Sequence, residues 1–277
     1  MHNRFATQRR SCAMAEQIRL DQLLVNRGLV SGRDRAKELI AQGQILVDGK
    51  PAVKAAQKYE NDIPLEVLND AAHFVSRAAH KLEGALNSFG IDLCDRVVLD
   101  VGASTGGFTQ CALERGARHV YAVDVGSGQL ADALKNDPRV SDFEKTDIRL
   151  LTAEQLAEMP VFAVCDVSFI SLRLVLPAIK QLLASNGEAV VLIKPQFEAG
   201  RASVGRGGLV KDPKIHLRVL QEMVEVFHLN GFIVAGMAVS PIHGGDGNVE
   251  FLAWLSQEGI EAIPDLQSLV RQAHGRK

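Results

Sequence analysis

Three charged residues stand where apolar strands end in this sequence. Asp166 closes Val161-Phe162-Ala163-Val164-Cys165, a run that reads as a buried parallel strand. Lys194 closes Ala189–Ile193 beside Pro195, and a lysine ending a fully apolar strand must be paired or put to use. Glu250 lies at the turn edge of a third strand, Val249–Leu255, and Lys81 precedes the first strand on an amphipathic helix. Between them runs Val97-Val98-Leu99-Asp100-Val101-Gly102-Ala103-Ser104-Thr105-Gly106-Gly107-Phe108, a short strand ending in an acid, a glycine-rich turn and a helix over Phe108–Arg115. Glycines at 102, 106 and 107 let backbone approach a ligand at the carboxyl end of a strand. The spacing is not G-x-G-x-x-G, so a dinucleotide pyrophosphate is not the expected guest. A second strand, His119–Val123, ends in Asp124, where an acid commonly takes a ribose diol. The pattern D-x-G-x-x-x-G-G with that second acid reads as a pocket for S-adenosyl-L-methionine, with Asp100, Gly102, Ser104, Thr105, Gly106, Gly107, Phe108, Asp124 and Asp166 as its contacts. In "FEKTDIR", Asp147 is placed at the end of a weak strand, facing the adenine. The alternative for the glycine stretch is a tight turn with a purely structural role.

These residues need a sheet to converge. Helices are expected at Ala79–Leu86, Leu130–Leu134, Leu172–Leu183 and Asp212–Asn230, from apolar residues at helical spacing. Phe232–Val239 and Val249–Leu255 read as a terminal antiparallel hairpin joined by "SPIHGGDGN", with His243 solvent-facing rather than catalytic. The expected fold is α/β, a Rossmann-like seven-stranded sheet behind a small α+β N-terminal domain. "GRASVGRGG", Gly200–Gly208, is either a surface loop or a lid that offers Arg201 and Arg206 to phosphate.

The chain has 277 residues, 47% of them hydrophobic, enough for one large domain and a small one. It shows no apolar run of about 18 residues or more, so no membrane-spanning helix is expected. Met1 to Gln17 has Arg4, Arg9 and Arg10 but no apolar core, which reads as a disordered lead-in and not a secretory signal. Cys12, Cys94, Cys111 and Cys165 form no C-x-x-C pair; buried free thiols in a cytoplasmic protein, without a metal site, are expected. The net charge of −2 conceals an asymmetry: residues 1–60 carry 11 Lys and Arg against 6 Asp and Glu. Such separation suits an N-terminal region that meets a polyanion.

From Ile18, two short amphipathic helices (Leu20, Leu23, Leu24; Ala36, Leu39, Ile40) precede a hairpin, Ile45–Val47 and Pro51–Val53, turning at Asp48-Gly49. Ser31 is the expected cap of the second helix, and Ile63–Leu68 a last strand. The run "IRLDQLLVNRGLVSGRDRAKELIAQGQILVDGK" resembles the RNA-binding domain named after ribosomal protein S-four. That resemblance implies a basic face for structured RNA, here Arg19, Arg33, Arg35, Lys37, Lys50 and Lys54, gripping phosphates without reading bases. The division expected is a lead-in over 1–17, an RNA-binding domain over 18–65, a linker over 66–75 and a catalytic domain over 76–277.

The stretches "SRAAHKLEGAL", "VVLDVGASTGGFT", "CDVSFISL", "LIKPQFEAGR" and "GNVEFL" resemble the FtsJ-like RNA ribose 2′-O-methyltransferases. Joined to the N-terminal domain, they resemble the TlyA (hemolysin A-like) family over about residues 18–255. The resemblance implies methylation of a cytidine ribose in ribosomal RNA of ribosomal subunits, with Lys81, Asp166, Lys194 and Glu250 catalytic and no metal. A ribose hydroxyl is a poor nucleophile, and a lysine serves as its base only when desolvation or a second cation favours the amine. Lys194 suits that role; Asp166 and Glu250 would orient the lysines, and Lys81 would position the ribose or stabilise an alkoxide. Two alternatives stand beside this reading: a membrane-active cytolysin, which the hemolysin name suggests, and a non-catalytic RNA-binding assembly factor.

Overall fold

The computed structural model describes residues 17–30, 32–41, 43–67 and 74–275. The chain divides into two compact units between His73 and Phe74. The expectations for residues 1–16 of the lead-in, Cys12, Ser31 and Leu68 fall outside the described residues, while Gln17, placed last in that lead-in, opens the first strand opposite Glu60. Of the expected linker, Glu66 and Val67 belong to a strand and Phe74 to the core of the second unit.

The first unit runs β1 (Gln17–Arg19), α1 (Leu20–Asn26), α2 (Arg33–Ala41), β2 (Ile45–Val47), β3 (Lys50–Pro51), β4 (Lys58–Glu60) and β5 (Leu65–Val67). Its core joins Leu20 and Leu24 of α1 to Ala36, Leu39 and Ile40 of α2, with Ile45 beneath them. The β2–β3 turn forces positive φ on Asp48 (50°) and Gly49 (73°), the requirement of a tight primed turn. β3 stops at Pro51, two residues short of the expected strand, although the Ala52 amide still donates to Ile45 O at 2.8 Å. β1 pairs antiparallel with β4, a contact between segments too short to show a period.

The second unit runs α3 (Ala79–Phe89), β6 (Val97–Val101), α4 (Gly107–Glu114), β7 (His119–Val123), α5 (Asp132–Lys135), β8 (Val140–Phe143), β9 (Phe162–Cys165), α6 (Leu172–Leu182), β10 (Glu188–Ile193), α7 (Pro195–Glu198), α8 (Pro213–Leu229), β11 (Ile233–Val239), β12 (Phe251–Ser256) and α9 (Leu266–Gly275). Its described residues form a seven-stranded sheet in the order β11-β12-β10-β9-β6-β7-β8. The pairs from β10 to β8 are parallel, and β12 is antiparallel to both its neighbours. Alternate residues feed two cores: Val97, Leu99 and Val101 pack on one face of the sheet, Val98 on the other. This is the expected α/β class with its seven strands. The terminal hairpin does not simply extend the sheet, since β12 enters between β10 and β11.

One strand assignment is corrected. β8 ends at Phe143, and Asp147 lies beyond it as the cap of a single 3-10 turn, Ile148–Leu150. Lys145 takes φ 54°, which breaks the extended run, and Lys145 and Thr146 donate their amides to the carbonyls of Gly126 and Asp124.

Candidate active site

The parallel strands deliver the glycine stretch, Asp166 and Lys194 to one edge of the sheet. β6 ends at Val101, and the chain turns through Gly102 (φ 85°) and Gly106 (φ 93°) into α4. A Cβ on Gly102 would lie 2.9 Å from the backbone oxygen of Asp166, so glycine lets the two strand ends pack. Asp166 follows β9 directly, and Lys194 follows β10. Glu250 immediately precedes β12; because Ile193 pairs with Phe251, the start of this antiparallel strand meets the end of β10. Lys81 comes from the first turn of α3.

The four side chains meet as one charged chain. Lys81 Nζ is 2.7 Å from Glu250 Oε2 and 3.4 Å from Asp166 Oδ2, and Lys194 Nζ is 2.6 Å from Asp166 Oδ1. Lys194 also donates to Ser168 Oγ at 2.9 Å and lies 5.9 Å from the centre of the Phe197 ring. Lys81 and Lys194 are buried, as is Glu250. Burial pushes the Glu250 carboxyl above its ordinary range, opposed by the charge of Lys81. Asp166 thus bridges two lysines, one held by two carboxylates and the other by one carboxylate and a hydroxyl.

These groups line a cavity of about 640 Å³, together with Gly102, Ser104, Thr105, Gly107 and Phe108. Asp124 stands behind the glycine loop, accepting from the amides of Ser104 (2.8 Å) and Gly126 (2.7 Å). Asp100 is fully buried beneath the loop and does not line the cavity; Thr109 Oγ1 donates to its Oδ2 at 2.6 Å, while Oδ1 has no hydrogen-bond partner among the described residues. Burial pushes its carboxyl up to about 7. Gly106 is packed under Leu130 and Leu134 and does not line the cavity. Asp147 is engaged by Arg149 through its side chain and amide, and lies away from the cavity lining.

Ser168, Phe169, Gln196, Phe197 and Asp246 also line the cavity, and the sequence reading passed over them. All lie within a few residues of a charged strand end, which is the signal that could have found them. Asn248 is a further omission. Buried, it accepts from the Val210 amide (2.9 Å) and donates to Gly208 O (2.9 Å) and Asp246 Oδ2 (2.8 Å). It ties the far end of the Gly200–Gly208 tract to the turn before Glu250. Arg201 and Arg206 of that tract are exposed, and so is His243.

The predicted RNA-facing cations of the first unit divide. Arg35 is almost buried and pairs with Glu38, and Lys37 pairs with Asp34. Lys50 and Lys54 are exposed, whereas Arg19 and Arg33 share Asp21. Of the cysteines, Cys111 and Cys165 are buried free thiols and Cys94 is exposed. Among the described residues no group of His, Cys, Asp and Glu is arranged to hold a metal ion, and no helix is long and apolar enough to cross a membrane.

Comparison with known proteins extends these observations. The family model "FtsJ-like methyltransferase" matches residues 74–257, and the "S4 domain" model matches residues 18–60. The chain is 46% identical over 268 residues to YqxC of Bacillus subtilis, described provisionally as an rRNA methyltransferase; the match covers 94% of this chain and 95% of that one. It is 45% identical over 251 residues to the 16S/23S rRNA (cytidine-2′-O)-methyltransferase TlyA of Mycobacterium tuberculosis, covering 90% and 94%. A solved structure from Streptococcus thermophilus, described provisionally as a hemolysin, superposes with a TM-score of 0.74 at 39% identity, covering 93% of this chain and 96% of that one. The chain therefore belongs to the FtsJ-like methyltransferase family, with an S4 domain ahead of the methyltransferase domain in sequence.

Proposed function

We propose that this protein transfers a methyl group from S-adenosyl-L-methionine to the ribose 2′-hydroxyl of a cytidine in ribosomal RNA, in the cytoplasm. The observation that carries the proposal is the convergence of Lys81, Asp166, Lys194 and Glu250 on a cavity floored by the glycine stretch. The names of the relatives support the choice of RNA and of cytidine. The S4 match, with exposed Lys50 and Lys54, supports RNA affinity in residues 18–65 and chemistry in 76–277.

The residues present fit the cofactor. A cavity of about 640 Å³ is within the roughly 300–1,000 Å³ of small-molecule sites. Its floor is backbone from Gly102 to Phe108, with Ser104 and Thr105 exposed to a ligand and Asp124 holding the loop from behind. When bound there, S-adenosyl-L-methionine supplies an electrophilic methyl group. Gly102, Ser104, Thr105, Gly107 and Phe108 would hold it, with Asp124 fixing their loop through the Ser104 amide.

The remaining chemistry belongs to the side chains. Lys194 is the base that receives the 2′-hydroxyl proton on Nζ. Its Nζ lies 2.6 Å from Asp166 Oδ1 and donates to Ser168 Oγ at 2.9 Å, contacts that hold the nitrogen at the cavity. Lys81, held between Glu250 and Asp166, is suited to stabilise the developing alkoxide. Asp166 keeps the two lysines a fixed distance apart, and Glu250 offsets the cost of burying Lys81.

The test is transfer of radiolabelled methyl to purified ribosomal subunits, followed by nuclease mapping. Label at cytidine, resistant to alkaline cleavage on its 3′ side, is the expected result. Lys194→Ala should abolish incorporation while RNA binding persists. Retained incorporation in that variant would remove Lys194 as the base, and no incorporation by the unmodified protein would reject the activity.

A further inference from the structure

Two short segments, 166–172 and 194–198, follow the paired strands β9 and β10 and are laced together at both ends. At one end Lys194 Nζ lies 2.6 Å from Asp166 Oδ1 and donates to Ser168 Oγ at 2.9 Å. At the other end Ser171 Oγ donates to Glu198 Oε2 at 2.6 Å, and the Leu172 amide donates to Glu198 Oε1 at 2.8 Å. The Ser171 hydroxyl also accepts from the Arg173 amide at 3.2 Å. Ser171 and Glu198 together therefore satisfy the first amides of α6, which have no partner within the helix. The proposed reaction uses the first of these ties and leaves Glu198 without a role.

Between the two ties stands Phe169 at φ 64°, a left-handed conformation that a bulky residue rarely takes. Its side chain is exposed, so burial of the ring does not hold the backbone there. The ties at either end hold it, with Val167 and Ile170 packed on the core. The Glu198 end rests on a firm base. α7 starts at Pro195 directly after Lys194, and Arg218 of α8 donates to Ala199 O at 3.1 Å just past it. On the other side α6 buries Leu172, Val175 and Leu176. Without the Glu198 carboxylate, Ser171 loses its anchor and Phe169 can relax to negative φ. That rotation moves Ser168, one residue earlier, relative to Lys194.

We propose that Glu198 is a positioning residue for the methyl transfer: by fastening Ser171 and Leu172 to α7 it keeps Ser168 Oγ against Lys194, and so sets where the base nitrogen stands in the cavity. This deepens the reaction proposed above and rests on it. A Glu198 that served stability alone would affect the rate independently of Ser168. One that acts through Ser168 must share its effect with that residue.

The experiment is methyl transfer to ribosomal subunits, with kcat and the cofactor KM measured separately. The full-length proteins compared are the unmodified chain, Glu198→Ala, Glu198→Gln, Ser168→Ala and the double variant Ser168→Ala with Glu198→Ala. Glu198→Ala should lower kcat about tenfold and leave the cofactor KM within about twofold, and Ser168→Ala should lose a comparable factor. Glu198→Gln keeps an acceptor for the Leu172 amide and an amide N–H for Ser171 Oγ, so its kcat should return to within about threefold of the unmodified value. The double variant should be no more than about twofold slower than the slower single variant. Unchanged kcat in either alanine variant, losses that multiply in the double variant, or a Glu198→Gln as slow as Glu198→Ala would each overturn the positioning role and leave the methyl transfer standing. If circular dichroism shows Glu198→Ala to be unfolded, Ser171→Ala takes its place in the same cycle, since it removes the bond to Oε2 and leaves the one from Leu172. No transfer by the unmodified protein would reject the reaction, and the positioning role with it.

Discussion

Gly102→Ala adds a single methyl group and tests how the glycine stretch positions the acid across from it. At φ 85°, the left-handed backbone costs an alanine about 1–2 kcal/mol. The new Cβ would stand 2.9 Å from Asp166 O, 3.1 Å from Asp166 C and 3.3 Å from Val167 Cα, all of them backbone atoms that cannot rotate away. Overpacking of this kind adds about 1–3 kcal/mol. The sum, about 2–5 kcal/mol, is relieved only if the end of β9 retreats by several tenths of an ångström. That retreat carries Asp166 away from Lys194 and Lys81, now at 2.6 and 3.4 Å. Displacements of about 1 Å at a reacting centre cost on the order of 100-fold in rate, so a loss of about 10- to 100-fold in kcat is expected beside a lowered melting temperature. The assay is methyl transfer at saturating cofactor, paired with thermal unfolding. Gly245→Ala is the control: it lines the same cavity with open space around its Cβ position and should change stability by less than about 0.5 kcal/mol. If Gly102→Ala matched the unmodified protein in both rate and melting temperature, the packing argument would be refuted.

Two further outcomes follow from buried polar groups. Asp100 titrates at about 7 in the folded chain against an ordinary value of 3.8, so between those pH values the native state keeps a proton that the unfolded chain has lost. Stability should therefore fall as pH rises from about 4 to 7, and between pH 5 and 8 Asp100 should contribute a loss of about 3 kcal/mol. Asp100→Asn should remove that slope; equal pH dependence of urea unfolding in the two proteins would exclude Asp100 as its source. Asn248→Ala deprives Val210 N and Gly208 O of their partners, which should speed tryptic cleavage after Arg201 and Arg206 by roughly 10- to 30-fold in the folded protein. An unchanged cleavage rate would mean that the tract is held by other contacts, such as Arg218 on Ala199 O and Ser203.

Much of the framework was legible because its signals are local. An apolar run that ends in a charge marks both a buried strand and the edge where it stops, which is why Asp166 and Lys194 could be brought to one rim from sequence, with Glu250 at the turn that opens the last strand. Asp212-Pro213 likewise foretold the start of α8, where the Asp212 side chain accepts from the Lys214 amide. What was hidden is set by partners distant in sequence. Nothing within Phe251–Ser256 says that it pairs with β10 as well as β11, and nothing in Lys58–Glu60 says that it pairs with Gln17–Arg19. Asp147 was placed at the end of a weak strand in "FEKTDIR", while the turn at Lys145 depends on carbonyls of the Asp124–Gly126 loop. Arg35 was counted with the surface cations, although its neighbour Glu38 lies one helical turn on and draws it inward. α9 carries Leu269, Val270 and Ala273 at helical spacing and was readable in principle.

The wedged position of β12 governs the order in which the molecule can be finished during synthesis. By the time β10 has left the ribosome, the glycine stretch, Lys81, Asp166 and Lys194 are all available, yet β10 still lacks a neighbour on its outer side. β11 emerges next and cannot fill that place, because its partner is the strand still to come. Only the segment from Glu250 onward joins the two, and it brings the carboxylate 2.7 Å from Lys81 as it does so. Closure of the sheet and completion of the charged cluster are therefore a single late event, and a chain interrupted before residue 250 has neither.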